Sequence, residues 1–156
     1  MQKILFVCLG NICRSPLAEG IMLHLNKRDN LDLEIDSAGL IGDHAGQAPD
    51  PRTVANAKKH GIDLSSLRAR QLTSQDFHRF DQVLVMDASN RRMALHLNVD
   101  KQNKAKVKLL LTCLPEGEMK EVPDPYYGTD KDFENVFQLI HAACEALSTS
   151  LKASGV

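Results

Sequence analysis

The sequence predicts an α/β fold: a parallel, four-stranded sheet covered by helices on both faces. Three observations predict it. Strand-like and helix-like segments alternate along the chain, which favours right-handed βαβ units. The strand segments are continuous apolar runs, as expected of strands buried on both faces. The chain has 156 residues, 43% apolar and 25% charged, which suits one domain spanning 1–156 with a core of its own.

Each element has a local reason. Ile4, Leu5, Phe6 and Val7 form an uninterrupted β-rich run, the first strand. Ser15-Pro16 reads as a helix start, with Ser at the N-cap and Pro at the first helical position. Leu17, Ile21 and Leu25 then line one face of that helix. Leu33, Ile35 and Ser37 alternate with acids and lead to Ala38-Gly39, a second strand. Residues 42–52 hold small turn residues and two prolines, a loop. Asp50 reads as the N-cap of a helix that starts at Pro51, runs through Val54 and Ala57, and stops at His60-Gly61. A short helix opens after Leu72-Thr73. Residues 82–86 form the third strand, 89–97 a helix and 106–111 the fourth strand. Residues 116–128, bordered and crossed by Pro115, Pro123 and Pro125, form a loop. From Thr129, Phe133, Val136, Phe137, Ile140, Ala143, Leu147 and Leu151 mark a long amphipathic helix.

Several function classes are disfavoured. Nineteen basic and twenty acidic residues nearly cancel, so no global field holds nucleic acid or an anionic membrane. No apolar run approaches the ~20 residues that span a bilayer. The run at 4–10 is followed at once by Asn11 and Arg14, unlike a cleaved leader. A cytoplasmic location is expected. Four cysteines, Cys8, Cys13, Cys113 and Cys144, are too scattered for a zinc site at finger spacing, and a chain of this size needs no disulfide scaffold. Neither a metal nor a cofactor is expected.

In a doubly wound sheet, ligands bind at the carboxyl ends of strands, where strand order reverses. The first such turn reads Cys8-Leu9-Gly10-Asn11-Ile12-Cys13-Arg14-Ser15-Pro16. Gly10 and Asn11 tolerate positive φ, so the backbone can curl with its N–H groups inward, an anion nest. The following helix points its positive end at the same place. Arg14 can grip phosphate oxygens with two prongs. A thiol in such a setting drops from about 8.5 to roughly 3.5–7.5, so Cys8 is expected to be a thiolate nucleophile beside a bound phosphate. Ser15 can donate its hydroxyl to that sulfur. A nucleotide P-loop would need Gly-Lys-Ser/Thr in place of Cys-Arg-Ser.

Transfer of a phosphoryl group from an aryl ester to sulfur expels a phenoxide. The phenol has a pKa near ~10, so a proton donor helps. Asp124, between Pro123 and Pro125 and followed by Tyr126-Tyr127-Gly128, is the best-placed carboxyl. The two rings could wall a slot for a flat substrate.

The cysteine loop together with Asp-Pro-Tyr-Tyr-Gly resembles the low-molecular-weight protein tyrosine phosphatases. Further similar segments are Ile35-Asp36-Ser37-Ala38-Gly39, Asp50-Pro51-Arg52, Ala69-Arg70-Gln71, Met86-Asp87 and Ser89-Asn90. The resemblance implies a flavodoxin/Rossmann-like three-layer sandwich with strand order 2-1-3-4. It implies phosphotyrosine hydrolysis through a phosphocysteine, with Cys8 as nucleophile, Arg14 as phosphate grip and Asp124 as general acid and then base. Leu9, Gly10, Asn11, Ile12, Cys13, Arg14 and Ser15 would bind phosphate, Asn11 and Ser37 would support the loop, and Tyr126 and Tyr127 would flank the ring. Cys13 would form a reversible disulfide with Cys8. Substrates would be phosphotyrosine proteins, such as a bacterial autophosphorylating tyrosine kinase, and the product inorganic phosphate. Two departures stand out. Leu67 occupies a place where the family often has a histidine supporting the loop asparagine. Asp43 or His44 aligns where some members have tryptophan, which implies a more polar rim.

Three rival functions share the motif. An arsenate reductase would need further relay cysteines, and residues 81–98 contain none. A phosphoarginine phosphatase would favour threonine over Ile12 and would lack the tyrosine pair. A phosphocysteine carrier would gain nothing from Arg14 plus a mobile acid.

Overall fold

The computed structural model describes residues 1–97, 100–115 and 120–156. Its strands are β1 (Gln2–Cys8), β2 (Leu33–Gly39), β3 (Gln82–Val85) and β4 (Val107–Leu109). They form one parallel sheet in the order β2-β1-β3-β4. The helices are α1 (Arg14–Arg28), α2 (Pro51–Lys59), α3 (Asp76–Arg79), α4 (Ala88–Leu95), α5 (Lys101–Lys104) and α6 (Asp130–Ala153). The expected sheet order and helix coverage are both present.

The first strand shows why the apolar runs are unbroken. Ile4, Phe6 and Cys8 face one core with Leu17, Ile21 and Leu25 of α1 and Phe137, Ile140 and Leu147 of α6. Leu5 and Val7 face a second core with Phe77, Phe80, Val83, Val85 and Ala94. A period of two on a doubly covered strand makes every position apolar. Register places Cys8 opposite Gly39 and Phe6 opposite Ser37. The carboxyl end of β1 and the polar end of β2 therefore meet at one edge. A Cβ at Gly39 would lie 3.0 Å from the carbonyl carbon of Gly10, so this close approach needs glycine.

Several boundaries differ from expectation. The N-cap of α1 is Cys13, with Arg14, Ser15 and Pro16 all inside the first turn. Pro is tolerated there because first-turn N–H groups lack helical partners, and the Ser15 hydroxyl is free for another task. Asp50 does cap α2, accepting from the Arg52 N–H. His60 is the C-cap, and Gly61 takes the left-handed conformation (φ 79°). The fourth strand is shorter than 106–111, because Leu110–Cys113 turns into a 3-10 helix. The helix expected over 89–97 is Ala88–Leu95, capped by Asp87. Helix α5, which no apolar periodicity announces, is capped by Asp100. Thr129 and Asp132 form a capping box at the start of α6. Residues 116–119 of the expected loop lie outside the described residues.

Candidate active site

The turn between β1 and α1 lies at the point where the chain leaves the sheet centre in opposite directions. It forms the floor of a cavity of about 240 Å³. Cys8, Leu9, Gly10, Ile12, Cys13, Arg14, His44, Asp124, Tyr126 and Tyr127 all line it, joined by Ile41. Ten residues singled out from sequence thus converge. Asp43 does not line the cavity and is exposed. Of the two candidates for the rim, His44 is the one that faces it.

Asn11 alone takes the left-handed turn (φ 58°). Gly10, expected to share it, does not. Its small size matters for another reason: a Cβ there would sit 3.1 Å from Cδ2 of His44. The rim histidine therefore packs directly on the loop.

Behind the loop runs a buried polar chain. Asn11 Nδ2 donates to Ser15 Oγ at 2.7 Å and to Ser37 Oγ at 2.9 Å. Asn11 Oδ1 accepts from the Arg70 N–H at 3.0 Å. Ser15 Oγ lies 3.0 Å from Cys8 Sγ. While accepting from Asn11, the Ser15 oxygen can still send its own hydrogen to sulfur. That orientation suits a thiolate acceptor.

Arg14 is 3% exposed, and its charge is held. Nη1 donates to Asp87 Oδ2 at 2.7 Å and to the Val122 carbonyl at 3.0 Å. Nη2 lies 3.6 Å from Asp124 Oδ2. In the sequence Asp87 carries only a segment likeness and no role. It follows β3 directly, at the same carboxyl edge, and that position is the signal which could have found it. Its second oxygen caps α4 through the Asn90 N–H, so the carboxylate is fixed from two sides. Buried Val122 and Pro125 anchor the loop on either side of exposed Asp124, and Asp124 accepts from the Tyr126 N–H. Tyr126 and Tyr127 meet edge to face, 4.9 Å between centroids.

The other three thiols are held protonated by burial in the resting protein. Burial pushes Cys13 up to about 12; the neighbouring Thr53 hydroxyl opposes the shift and Asp50 adds to it. Burial also raises Cys113 and Cys144. Cys113 lines a different cavity, with Gln2 and Gln82 at the opposite ends of β1 and β3. Cys144 packs in α6 against the Ala18 carbonyl. Neither lines the candidate site. Among the described residues, no cluster of His, Cys, Asp and Glu is arranged to hold a metal ion, and no helix is long and apolar enough to cross a membrane.

A loop carrying Cys8 and Arg14 at the carboxyl end of a central strand, with Asp124 beside it, makes a candidate phosphoryl-transfer site on a doubly wound sheet. The profile of the family described as low molecular weight phosphotyrosine protein phosphatase matches residues 3–156. The chain belongs to that family. It is 44% identical over 152 residues to a putative low molecular weight protein-tyrosine-phosphatase of Synechocystis, with 96% of each chain covered. It is 43% identical over 148 residues to the human low molecular weight phosphotyrosine protein phosphatase, covering 93% of this chain and 92% of that one. A protein tyrosine phosphatase from Entamoeba histolytica, crystallised with Hepes in its active site, superposes with a TM-score of 0.92 at 37% identity over all of both chains.

Proposed function

We propose that the whole chain, 1–156, acts as one protein tyrosine phosphatase domain working through a phosphocysteine. Family membership supports the reaction. The observation that carries the residue roles is the Ser15 hydroxyl aimed at Cys8 Sγ on the cavity floor, with Arg14 beside it and Asp124 above. Nest N–H groups from Leu9 to Ser15 and the Arg14 guanidinium hold the phosphoryl oxygens. Sγ attacks phosphorus, and the bond to the tyrosyl oxygen breaks. Asp124 delivers its proton to that oxygen, so a phenol leaves rather than a phenoxide. Asp124, now a carboxylate, takes a proton from the attacking water. The P–S bond breaks, releasing inorganic phosphate and restoring the thiolate, which Ser15 stabilises as leaving group.

The walls support an aromatic substrate. Leu9, Ile12, Ile41, Tyr126 and Tyr127 give the cavity apolar sides between its charged floor and the solvent, as a phenyl ring requires. The bulky apolar Ile12 disfavours a guanidinium, and the placement of Cys113 and Cys144 offers no relay for arsenate reduction. Phosphotyrosine proteins are the substrates, a bacterial tyrosine kinase among them by analogy, and the cytoplasm is the expected compartment.

Replacing Asp124 with alanine should slow the first step by about 10²–10⁴-fold for esters of poorly acidic alcohols. Esters whose leaving group needs no proton should suffer far less. Steady-state and burst kinetics across a leaving-group series measure this. Wild-type turnover of an alkyl phosphate by the variant would remove Asp124 from the role.

Cys13 supports a redox extension. Peroxide would convert Cys8 to a sulfenic acid, and Cys13 Sγ would displace water to form a disulfide, blocking further oxidation. Raised to about 12, Cys13 stays a thiol in the resting enzyme and does not compete for phosphate. After mild peroxide and then a thiol reductant, wild type should regain activity and Cys13→Ser should not. Equal recovery of both would end the idea.

A further inference from the structure

The chain behind the loop does not stop at Ser37. Ser37 Oγ donates to Glu19 Oε2 at 2.5 Å. Asn11 already donates to that same oxygen of Ser37, so the Ser37 hydrogen is directed to the carboxyl group. With Asn11 as double donor in the middle, the network points outward to two acceptors, the Cys8 sulfur and Glu19. Glu19, on α1, is 8% exposed, and the mechanism above makes no use of it. We propose that Glu19 is a positioning residue for the reaction assigned to Cys8. Its carboxylate terminates the chain Glu19–Ser37–Asn11–Ser15–Cys8, and its protonation loosens that chain. The inference rests on the reading of Cys8 as nucleophile.

The chemistry of the switch follows from donor counts. Ionised Glu19 only accepts, so Ser37 turns its hydrogen toward it and its lone pairs toward Asn11. Protonated on Oε2, Glu19 becomes a donor to Ser37. The Ser37 hydrogen then loses its acceptor and competes for the side facing Asn11 Nδ2. Asn11, held at positive φ, loses part of what keeps it there, and the Ser15 hydroxyl loses its fixed aim at sulfur.

The surroundings place this event near neutrality. Burial is the main cause pushing Glu19 up to about 7; its bond from Ser37 opposes the rise, the Asp36 charge adds to it, and the Arg70 charge opposes it. Asp36 faces it from β2. Arg70 approaches from the segment before Gln71, but its guanidinium is already engaged by Asp36 and Asp76. From α6, the Cys144 thiol, kept protonated by burial, packs on the neighbouring Ala18 carbonyl. The residue aligned with the family's histidine is Leu67, partly buried in the apolar core, so that position brings no cation.

Stability and activity should move in opposite directions. The folded-state value lies above the ordinary 4.5, so the native protein binds more protons in that window. Glu19 therefore makes the fold less stable as pH rises from about 4.5 to about 7. Turnover should instead rise through the upper part of the same window, because the ionised form orders the loop. A purely structural role would make the two fall together.

The test uses wild type, Glu19→Gln and Ser37→Ala, with para-nitrophenyl phosphate as substrate and iodoacetamide as probe of Cys8, from about pH 5 to 9. Wild type should show a step near pH 7 in both kcat and alkylation rate. It should lose about tenfold in kcat one unit below that step. Glu19→Gln should lack the step, because the amide oxygen accepts from Ser37 at every pH, and its thermal unfolding should lose the slope assigned to Glu19. Ser37→Ala should lose the step yet keep the slope, because the carboxyl still titrates but is cut off from Asn11. Superimposable profiles for wild type and Glu19→Gln, or a step that persists in Ser37→Ala, would overturn the proposal. Cys8→Ser distinguishes the two levels of the account: if it retains turnover, the nucleophile is misassigned. If it is inactive while the Glu19→Gln profile matches wild type, only the role of Glu19 fails.

Discussion

Cys8→Ser is expected to lose turnover of aryl phosphates by roughly 10⁵–10⁶-fold, the scale on which removal of an enzyme nucleophile is felt. The substitution keeps the size and hydrogen-bonding capacity of the side chain, so the loop should still close. The hydroxyl could still receive the Ser15 hydrogen bond that reaches sulfur at 3.0 Å. What is lost is the acidity and nucleophilicity of sulfur: near neutral pH a serine hydroxyl stays protonated, and the imidazole in the described lining, His44, is hydrogen-bonded to Gln47 rather than to residue 8. Phosphate or vanadate should therefore still bind the variant, measured by calorimetry, while hydrolysis vanishes. Loss of both would mean that the loop has collapsed. Retained hydrolysis would mean that another group attacks phosphorus.

Arg14→Lys should reduce kcat by about 10²–10³-fold, the cost of losing a preorganised donor to developing charge. The structure gives this substitution a sharper reason than charge geometry alone. The guanidinium has two tasks at once: Nη1 is tied to Asp87 and the Val122 carbonyl, and Nη2 faces the Asp124 side of the cavity. A lysine ammonium is a single point charge on a flexible stem. If it pairs with Asp87 it leaves the phosphate; if it turns to the phosphate it leaves a half-buried carboxylate unpaired. The effect should appear mainly in kcat, because the fork tightens as charge spreads over the equatorial oxygens. A variant with unchanged kcat and raised KM would show that Arg14 only binds substrate.

Much of this arrangement is legible in the amino-acid sequence. The run from Ile4 to Val7 reads only as a covered strand, and a cysteine shortly before an arginine at a strand-to-helix turn marks the cradle. The long helix declares itself through apolar positions at helical spacing, and its start is capped by Thr129 and Asp132. The differences have physical reasons. Ser15 reads both as an N-cap and as a partner of the Cys8 sulfur; the structure keeps the second and moves the cap to Cys13, because the helix begins at Arg14. Asp87 carries only a segment likeness in the sequence, and nothing there singles out Glu19. Their partners lie 73 and 18 residues away, and only the sheet brings them together. Glycine permits positive φ at Gly10 as asparagine does at Asn11, whereas space beside His44 is the actual constraint there. The fourth strand ends before its apolar run does, because Leu110 and Leu111 stay fully buried inside a 3-10 turn.

The proposed reaction turns on covalent transfer of phosphorus to one sulfur. Rapid acid quenching during turnover of para-nitrophenyl phosphate, followed by mass spectrometry of the digested protein, reads that event directly. The expected result is a single phosphoryl group on the peptide carrying Cys8, formed as fast as the phenol appears and trapped more strongly when Asp124 is replaced by alanine. Phosphate on any other side chain, or a burst of phenol with Cys8 unmodified, would contradict it.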